Sequence, residues 1–486
     1  MNLYIINHSF HYELENLTRL FYPNEKINVI KDNTDFKPPF IKTELSDSLN
    51  VEVNIGGFFD KKTAALSDDE ENERMMCELL YKLLVHKTSV RPPWGMITGV
   101  RPVKLYRALK EENGEEAADS YFKNKLFVSD EKIKLAKLTE KTEKKFLDLS
   151  RKDSFSLYIA VPFCPSRCKY CSFVQASVER SKHLVEPYVE LLCRELEYTA
   201  EIVKKLNLRL ETVYMGGGTP TTLTAEQMSR VLRTVNDNFD ISTCREFTVE
   251  AGRPDTVTEE KLISLKENNV NRISINPQTL NDEVLRVIGR KHTARQTLDA
   301  YSLARKICFE CINTDLIAGL PSDTVESFKT TLDSICAIAP ECVTVHTLSM
   351  KRSSTLTQDG SQINAEDCDR TSEMLRYAFG KLKGERYIPY YLYRQSRMVG
   401  NLENTGWSKK GYESLYNIYV MDETHTILGC GAGAVSKLKD PYSNYLKRIF
   451  NFKYPYEYIG RYEEQLERKD QICSFYSNCL KNTVSD

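Results

Sequence analysis

The chain has 486 residues, with 67 lysines and arginines against 68 aspartates and glutamates, for a net charge of −1. That balance excludes a nucleic-acid footprint or an acidic tail, and the length allows two or three domains around a large core. No apolar run is long enough to span a bilayer, and 41 % hydrophobic with 28 % charged residues excludes widespread disorder.

The first residues, MNLYIINHSFHYELENL, have no basic head, apolar stretch or small-residue cleavage site, so no export signal is expected. Fourteen cysteines without such a signal read as reduced thiols in a cytoplasmic protein. Residues 1–150 open with short alternations, LYIINHSF and LNVEVNIGGFF, that predict strands. SDDEENERMMCELLYKLLVHK begins with Ser67 and acids and predicts a helix. A Pro/Gly-punctuated loop follows, RPPWGMITGVRP, and then a second helix, DEKIKLAKLTEKTEKKFLDL. An N-terminal α+β domain of unassigned role is expected here.

Residues 151–357 alternate strands with helices. FSLYIAVPF, ETVYMGG, EFTVEA, RISINPQ, CINTDLIAGLP and CVTVHTLSM predict six strands, separated by longer 3.6-period segments. Repeated βα units imply parallel strands, an α/β barrel or an open wound sheet, with chemistry at the C-terminal strand ends. Residues 358–486 predict a helix (EDCDRTSEMLRYAFGKLKG) and then RYIPYYLYRQ, YNIYVMDE and HTILGCGAGAV as antiparallel strands. A charged helix, PYEYIGRYEEQLERK, comes after them. An α+β accessory domain covering the substrate is expected there.

The most informative motif directly follows the first of the six strands: Cys164-Pro-Ser-Arg-Cys168-Lys-Tyr-Cys171. Three thiolates at C-x₃-C-x₂-C spacing can hold three irons of a [4Fe–4S] cluster, leaving the fourth iron open to a chelating small molecule. That arrangement is the signature of a radical S-adenosylmethionine (SAM) site, and its oxygen sensitivity suggests an anaerobic or low-oxygen cell. A zinc site would want a fourth Cys or His at short spacing. Gly216-Gly217-Gly218-Thr219-Pro220 ends the second strand, where glycines permit close approach and successive amides can form a nest; most such pairs are only turns. Glu250 ends the third strand and could equally be functional or structural. Asn276-Pro277-Gln278 ends the fourth, an amide able to meet a ligand's edge or satisfy a turn. Arg290 and His292 follow; the guanidinium could grip a carboxylate or face solvent. Asp315 lies within an apolar strand and needs a partner, for which a ribose hydroxyl is suited.

LYIAVPFC, VYMGGGTPT, TVEA, NRISINPQ, IGRKHT and TDLIAGLP occur in the order found in the oxygen-independent coproporphyrinogen III oxidases (dehydrogenases), a radical SAM family, and residues from about Phe155 to Met350 resemble it. The resemblance implies a partial (β/α)₆ TIM-like barrel. It implies that Cys164, Cys168 and Cys171 carry the cluster, that Tyr158 and Gly217 contact the cluster-bound SAM, and that Tyr170 lies near its adenine. Gly218 and Thr219 match positions that touch a second SAM molecule. Glu250, Gln278, Arg290 and Asp315 match positions contacting the cofactor's amino acid, ribose and carboxylate portions.

Phe173 stands where the oxidases have a further cysteine, and Ala160 where they have a histidine. Phe173 agrees with a branch resembling haem chaperones, whose His-Asn…Tyr-Trp element has no histidine in the GNLENTGW found here. The long N-terminal segment, with YYLYRQ and NLENTGW before GCGAGAVSK, resembles a third, clostridial-type group described as divergent coproporphyrinogen dehydrogenases. The expected function is oxidative decarboxylation of coproporphyrinogen III propionates to vinyls through a 5′-deoxyadenosyl radical, giving protoporphyrinogen IX. The alternatives are a haem-binding chaperone and a radical methyltransferase acting on haem. Expected partners are a tetrapyrrole and a low-potential donor such as flavodoxin or ferredoxin, with a monomeric chain. Arg394, Arg397 and Lys409 are candidate cations for the tetrapyrrole carboxylates. Tyr390, Tyr391 and Tyr393 could flank a macrocycle, or simply pack in a strand.

Overall fold

The computed structural model describes residues 1–33, 35–173 and 176–482. Two units emerge. The first gathers Met1–Lys137, Ser361–Asp369 and Tyr393–Glu403. Its five-stranded sheet runs in the order Asn28–Lys31, Asn2–Ile6, Phe40–Leu45, Leu49–Ile55, Phe58–Ala64, with the first three strands parallel and the last three antiparallel. Leu3, Tyr4 and Ile5 of the strand Asn2–Ile6 are all buried, and alternation buries Leu49, Val51 and Val53. The helix Asp69–Thr88 packs on this sheet. Its start is set by Asp68, whose side chain accepts the Glu71 amide, and three acids occupy its first turn. The loop 91–102 is pinned by the wholly buried Trp94, whose indole N–H donates to Glu403 at 2.8 Å; Lys132 meets the other oxygen of that carboxylate at 2.7 Å.

The second unit gathers Leu138–Gly360, Arg370–Leu392 and the chain from Asn404. All six expected parallel strands form: β1 (Ser154–Val161), β2 (Arg209–Gly217), β3 (Glu246–Glu250), β4 (Arg272–Ser274), β5 (Cys311–Ala318) and β6 (Cys342–Thr347). Helices alternate with them, among them α1 (Val178–Leu206), α2 (Ala225–Asn238), α3 (Glu259–Glu267), α4 (Ala294–Lys306) and α5 (Val325–Ile338). Capping boxes start two of these, Thr224 with Gln227 and Thr293 with Gln296. The later chain adds α6 (Ala365–Gly384), β7 (Ile388–Tyr393), β8 (Asn404–Ser408), α7 (Leu415–Asp422), β9 (Thr426–Cys430), β10 (Val435–Lys439), β11 (Leu446–Phe450) and α8 (Tyr462–Asn482). One eleven-stranded sheet results, ordered β7-β8-β6-β5-β4-β3-β2-β1-β9-β10-β11.

Parity sorts the two faces of this sheet. Phe155, Leu157, Ile159 and Val161 of β1, with Val213, Met215, Phe247, Val249 and Ile273 from its neighbours, form the core with Tyr188, Val189 and Leu192 of α1. Between them, Tyr158, Tyr214, Glu250, Asp315 and His346 take the opposite parity and face the lumen.

Two expectations are corrected. YNIYVMDE forms the helix α7, not a strand. Ser414 caps it by accepting the Asn417 amide, and the buried Glu246 carboxylate accepts the Leu415 amide at 2.6 Å, so a negative charge sits at the helix N-terminus. HTILGCGAGAV does supply a strand, but β9 runs parallel to β1, with Gly429 beside Tyr158. β8 runs antiparallel to β6, so the chain leaves it at the N-terminal strand ends, crosses on α7 and climbs again.

Candidate active site at the cysteine loop

β1 delivers the cysteine segment to the C-terminal end of the sheet. Phe163–Cys164 pairs with Ala176–Ser177, and the loop is laced to its neighbours. The Lys169 amide donates to Ile288 O at 2.9 Å, the Leu356 amide to Lys169 O at 3.1 Å, and Arg167 Nη2 to Ser353 O at 2.6 Å. Cys164 and Cys168 are buried and Cys171 half-buried. Cys164 Sγ lies 3.2 Å from Thr219 Oγ1, and Arg253 Nη1 lies 3.8 Å from Cys168 Sγ. Burial pushes the free Cys164 thiol up to about 12 and that of Cys171 to about 11, so a bound cation must hold them as thiolates.

The glycine motif ends β2 directly beside this loop. The Gly218 amide donates to Val161 O at 2.8 Å and the Thr219 amide to Phe163 O at 2.7 Å. These two amides therefore zip the glycine turn to the cysteine segment and leave no open nest, which corrects that expectation. Glycine is required at two positions. A Cβ at Gly218 would lie 2.6 Å from Phe163 O, and Gly217 has φ +103°. Gly217, Gly218 and Tyr158 line a cavity of about 240 Å³, with Ser172, Phe173 and, from the far end of the chain, Ala432, Gly433 and Lys453.

In the lumen, Tyr214 donates to Glu250 Oε1 at 2.5 Å, and burial raises the Glu250 carboxyl to about 7. Tyr214 also stacks on Tyr416 of α7, with ring centroids 4.4 Å apart, and Tyr158 stacks 6.3 Å from both. Burial would raise Asp315, but His346, 3.7 Å away, and the Asn313 amide at 2.7 Å outweigh it and hold its carboxyl low. Gln278 adopts φ +70° and exchanges backbone bonds with Asp315 and Ile317, while its buried Oε1 has no partner among the described residues. Arg290 donates to Tyr170 Oη at 3.2 and 3.0 Å, to Gly252 O at 3.2 Å and to Asn276 O at 2.6 Å. His292 is buried, neither ring nitrogen has a well-aligned hydrogen-bond partner among the described residues, and burial, then Arg290 and Arg253, lowers it to about 3.

The strand ends thus bring together Tyr158, the cysteines, Tyr170, Gly217, Gly218, Thr219, Glu250, Gln278, Arg290 and Asp315. Other candidates lie elsewhere. Arg394 is buried against the carbonyls of Ile97 and Asn401, and Lys409 donates to Ala339 O beside the start of β6, the opposite strand end. Tyr390 and Tyr391 are packed rings, the latter against Gly406. Sequence reasoning missed Tyr214, His346 and Tyr416. Parity along β2 and β6 could have found the first two; Tyr416 was hidden by the reading of α7 as a strand.

Among the described residues, no three His, Cys, Asp or Glu side chains close on one ion-sized point. A cubane cluster needs no such point, because each cysteine takes a separate iron. The buried thiols, the glycines a Cβ would obstruct and the orphaned Gln278 Oε1 fit a cluster with a polar organic ligand beside it.

Residues 158–335 match the model of the radical SAM superfamily. The oxygen-independent coproporphyrinogen-III oxidase-like protein HemZ of Bacillus subtilis (strain 168) is 36 % identical over 473 residues, spanning 94 % of this chain and 94 % of that one. The chain belongs to this radical SAM family. The family's cofactors are a [4Fe–4S] cluster and S-adenosyl-L-methionine. Another relative, the heme chaperone HemW of Lactococcus lactis subsp. lactis (strain IL1403), is 32 % identical over 331 residues, 65 % of this chain and 79 % of that one. The solved coproporphyrinogen III oxidase HemN of Escherichia coli, a radical SAM enzyme, shares the fold with a TM-score of 0.53 at 24 % identity, covering 66 % of this chain and 73 % of that one. Among the described residues no helix is long and apolar enough to cross a membrane.

Proposed function

We propose that this chain is a cytoplasmic oxidoreductase of porphyrin metabolism that converts propionates of coproporphyrinogen III to vinyl groups, giving protoporphyrinogen IX. The observation that carries this reading is kinship over 94 % of both chains with a relative named for its likeness to the oxidase. When bound, the cluster and SAM supply one-electron cleavage to a 5′-deoxyadenosyl radical able to take hydrogen from an unactivated carbon.

In this reading Cys164, Cys168 and Cys171 each hold one iron. Tyr158 and Gly217 would line the amino acid end of SAM, and Glu250 and Gln278 Oε1 would accept hydrogen bonds from it. Asp315, kept ionised by His346 and Asn313, takes ribose hydroxyls. Arg290 fixes the ring of Tyr170 near the adenine through their two hydrogen bonds. Burial of these groups excludes water from the reacting centre. Gly218 lines the cavity, where a second SAM would sit, and Thr219 lies next to it against Cys164. With Arg394 and Lys409 committed to carbonyls, Lys453 at the cavity is the cation offered to a propionate.

The test is anaerobic incubation of reconstituted protein with SAM, dithionite and coproporphyrinogen III. Protoporphyrinogen IX must form, together with deoxyadenosine and methionine. S-adenosylhomocysteine among the products would instead indicate methyl transfer. A stoichiometric absorbance change on haemin titration, without turnover of coproporphyrinogen, would indicate a chaperone.

A further inference from the structure

Charge is nearly balanced over the whole chain, but not around the cysteines. The segments 164–173, 286–293 and 349–358 contain seven lysines and arginines and no aspartate or glutamate. They are non-adjacent in sequence and joined in space. The Lys169 amide reaches Ile288 O, the Leu356 amide reaches Lys169 O, Arg167 Nη2 reaches Ser353 O, and Ser353 Oγ donates to Ser172 O at 3.2 Å. Of the seven, Arg290 is buried, Lys351 is half-buried and Arg286 is paired with Glu283. Arg167, Lys169, Lys291 and Arg352 are exposed, and among the described residues the only acid in an ion pair with them is Glu179, 3.7 Å from Lys291. Beside them Phe173 exposes two thirds of its surface, 66 %. None of the four cations lines the cavity bounded by Tyr158, Gly217 and Lys453. They sit on the three segments laced together at the cysteine loop rather than in the cavity wall.

We propose that this basic collar, with Phe173 at its edge, is the docking surface for an acidic one-electron carrier protein that reduces the cluster. Exposed cations beside an exposed aromatic suit a large acidic face, and like-charge crowding with few counter-ions of its own is relieved where an opposite charge arrives from outside. The step transfers one electron. The carrier is oxidised by one, the cluster is reduced by one, and no bond or proton moves. The inference depends on the family's cluster and not on the porphyrin substrate, so failure of the porphyrin reading leaves it standing.

The experiment uses the full-length, cluster-loaded protein with an acidic flavodoxin as the probe, and compares it with Lys169→Glu/Lys291→Glu/Arg352→Glu. Flavodoxin affinity should fall by about tenfold or more, and the steep salt dependence of the unmodified protein should flatten. Iron content and dithionite-driven deoxyadenosine formation should stay at the unmodified level, while the flavodoxin-driven rate drops. Lys291→Glu/Arg352→Glu, which leaves the cysteine loop untouched, should show the same trend if Lys169→Glu lowers cluster loading. Unchanged flavodoxin affinity in both variants would overturn the proposal. So would weakened binding of coproporphyrin III with flavodoxin binding intact, which would assign the cations to a small carboxylate ligand.

Discussion

The two ends of the parallel sheet bury charge in opposite ways. At the N-terminal strand ends each buried carboxylate is saturated by the protein itself. Glu211 accepts from Ser154 at 2.6 Å and Arg245 Nε at 2.8 Å, and it also meets Arg209. Glu246 holds Ser414 and the Leu415 amide, and Glu341 takes Arg305 and the Ile312 amide. At the C-terminal ends the groups are left wanting. Among the described residues Gln278 Oε1 and both nitrogens of His292 have no hydrogen-bond partner, and the Glu250 carboxylate has only Tyr214. Saturated polar clusters lock a fold, whereas unsaturated ones cost stability until a ligand completes them. The first end is a clamp and the second is a receptor.

Substitutions at the two ends should therefore separate stability from binding. Cys168→Ala is expected to have the largest effect, abolishing SAM cleavage and most cluster iron while unfolding of the apoprotein changes little; iron analysis and deoxyadenosine assay check it. At the clamp, Glu211→Ala strands two partly exposed guanidiniums and should cost about 3–4 kcal/mol in urea unfolding, with SAM affinity of the folded protein preserved. A loss of SAM binding without a loss of stability there would break the comparison.

At the receptor the sign reverses. Glu250 has its folded carboxyl raised to about 7 from 4.5, so between those pH values the native state binds more protons than the unfolded state. Apoprotein stability should then fall as pH rises from about 4.5 to 7, and Glu250→Gln should remove that slope. Above pH 7 the variant gains at most about 3 kcal/mol, read by urea titration at several pH values, while its SAM affinity declines. The smallest effect is expected at Gln278→Met, which removes an unsatisfied buried oxygen. Apoprotein stability should rise by about 1 kcal/mol and SAM binding weaken, as isothermal titration would show.

Much of this receptor was legible because its spacing is local. The three cysteines, the glycine run and the acids at strand ends fall where period-two alternation stops, and the six strands form as read. What stayed hidden depends on contacts far apart in sequence. Glu246 turns 415–422 into a helix by accepting the Leu415 amide across 169 positions, and no periodicity near Tyr416 records that acid. The direction of β9 follows from where β8 ends, which is a property of topology. Arg394 and Lys409 look like free cations in sequence because their carbonyl partners carry no residue signature.

The parallel pairing of β9 with β1 has a consequence for how the protein is made. Thr426 lies against Phe155, so the strand that leads into the cysteine loop stays an open edge until some 270 further residues have left the ribosome. A chain ended near residue 357 would expose the full backbone edge of an eight-residue apolar strand, a template for intermolecular pairing. The same truncation would remove Ala432, Gly433 and Lys453 from the cavity wall. Metal loading during synthesis would thus meet a half-built chamber, and the last hundred residues act as its built-in chaperone, sealing the strand that carries the cysteines.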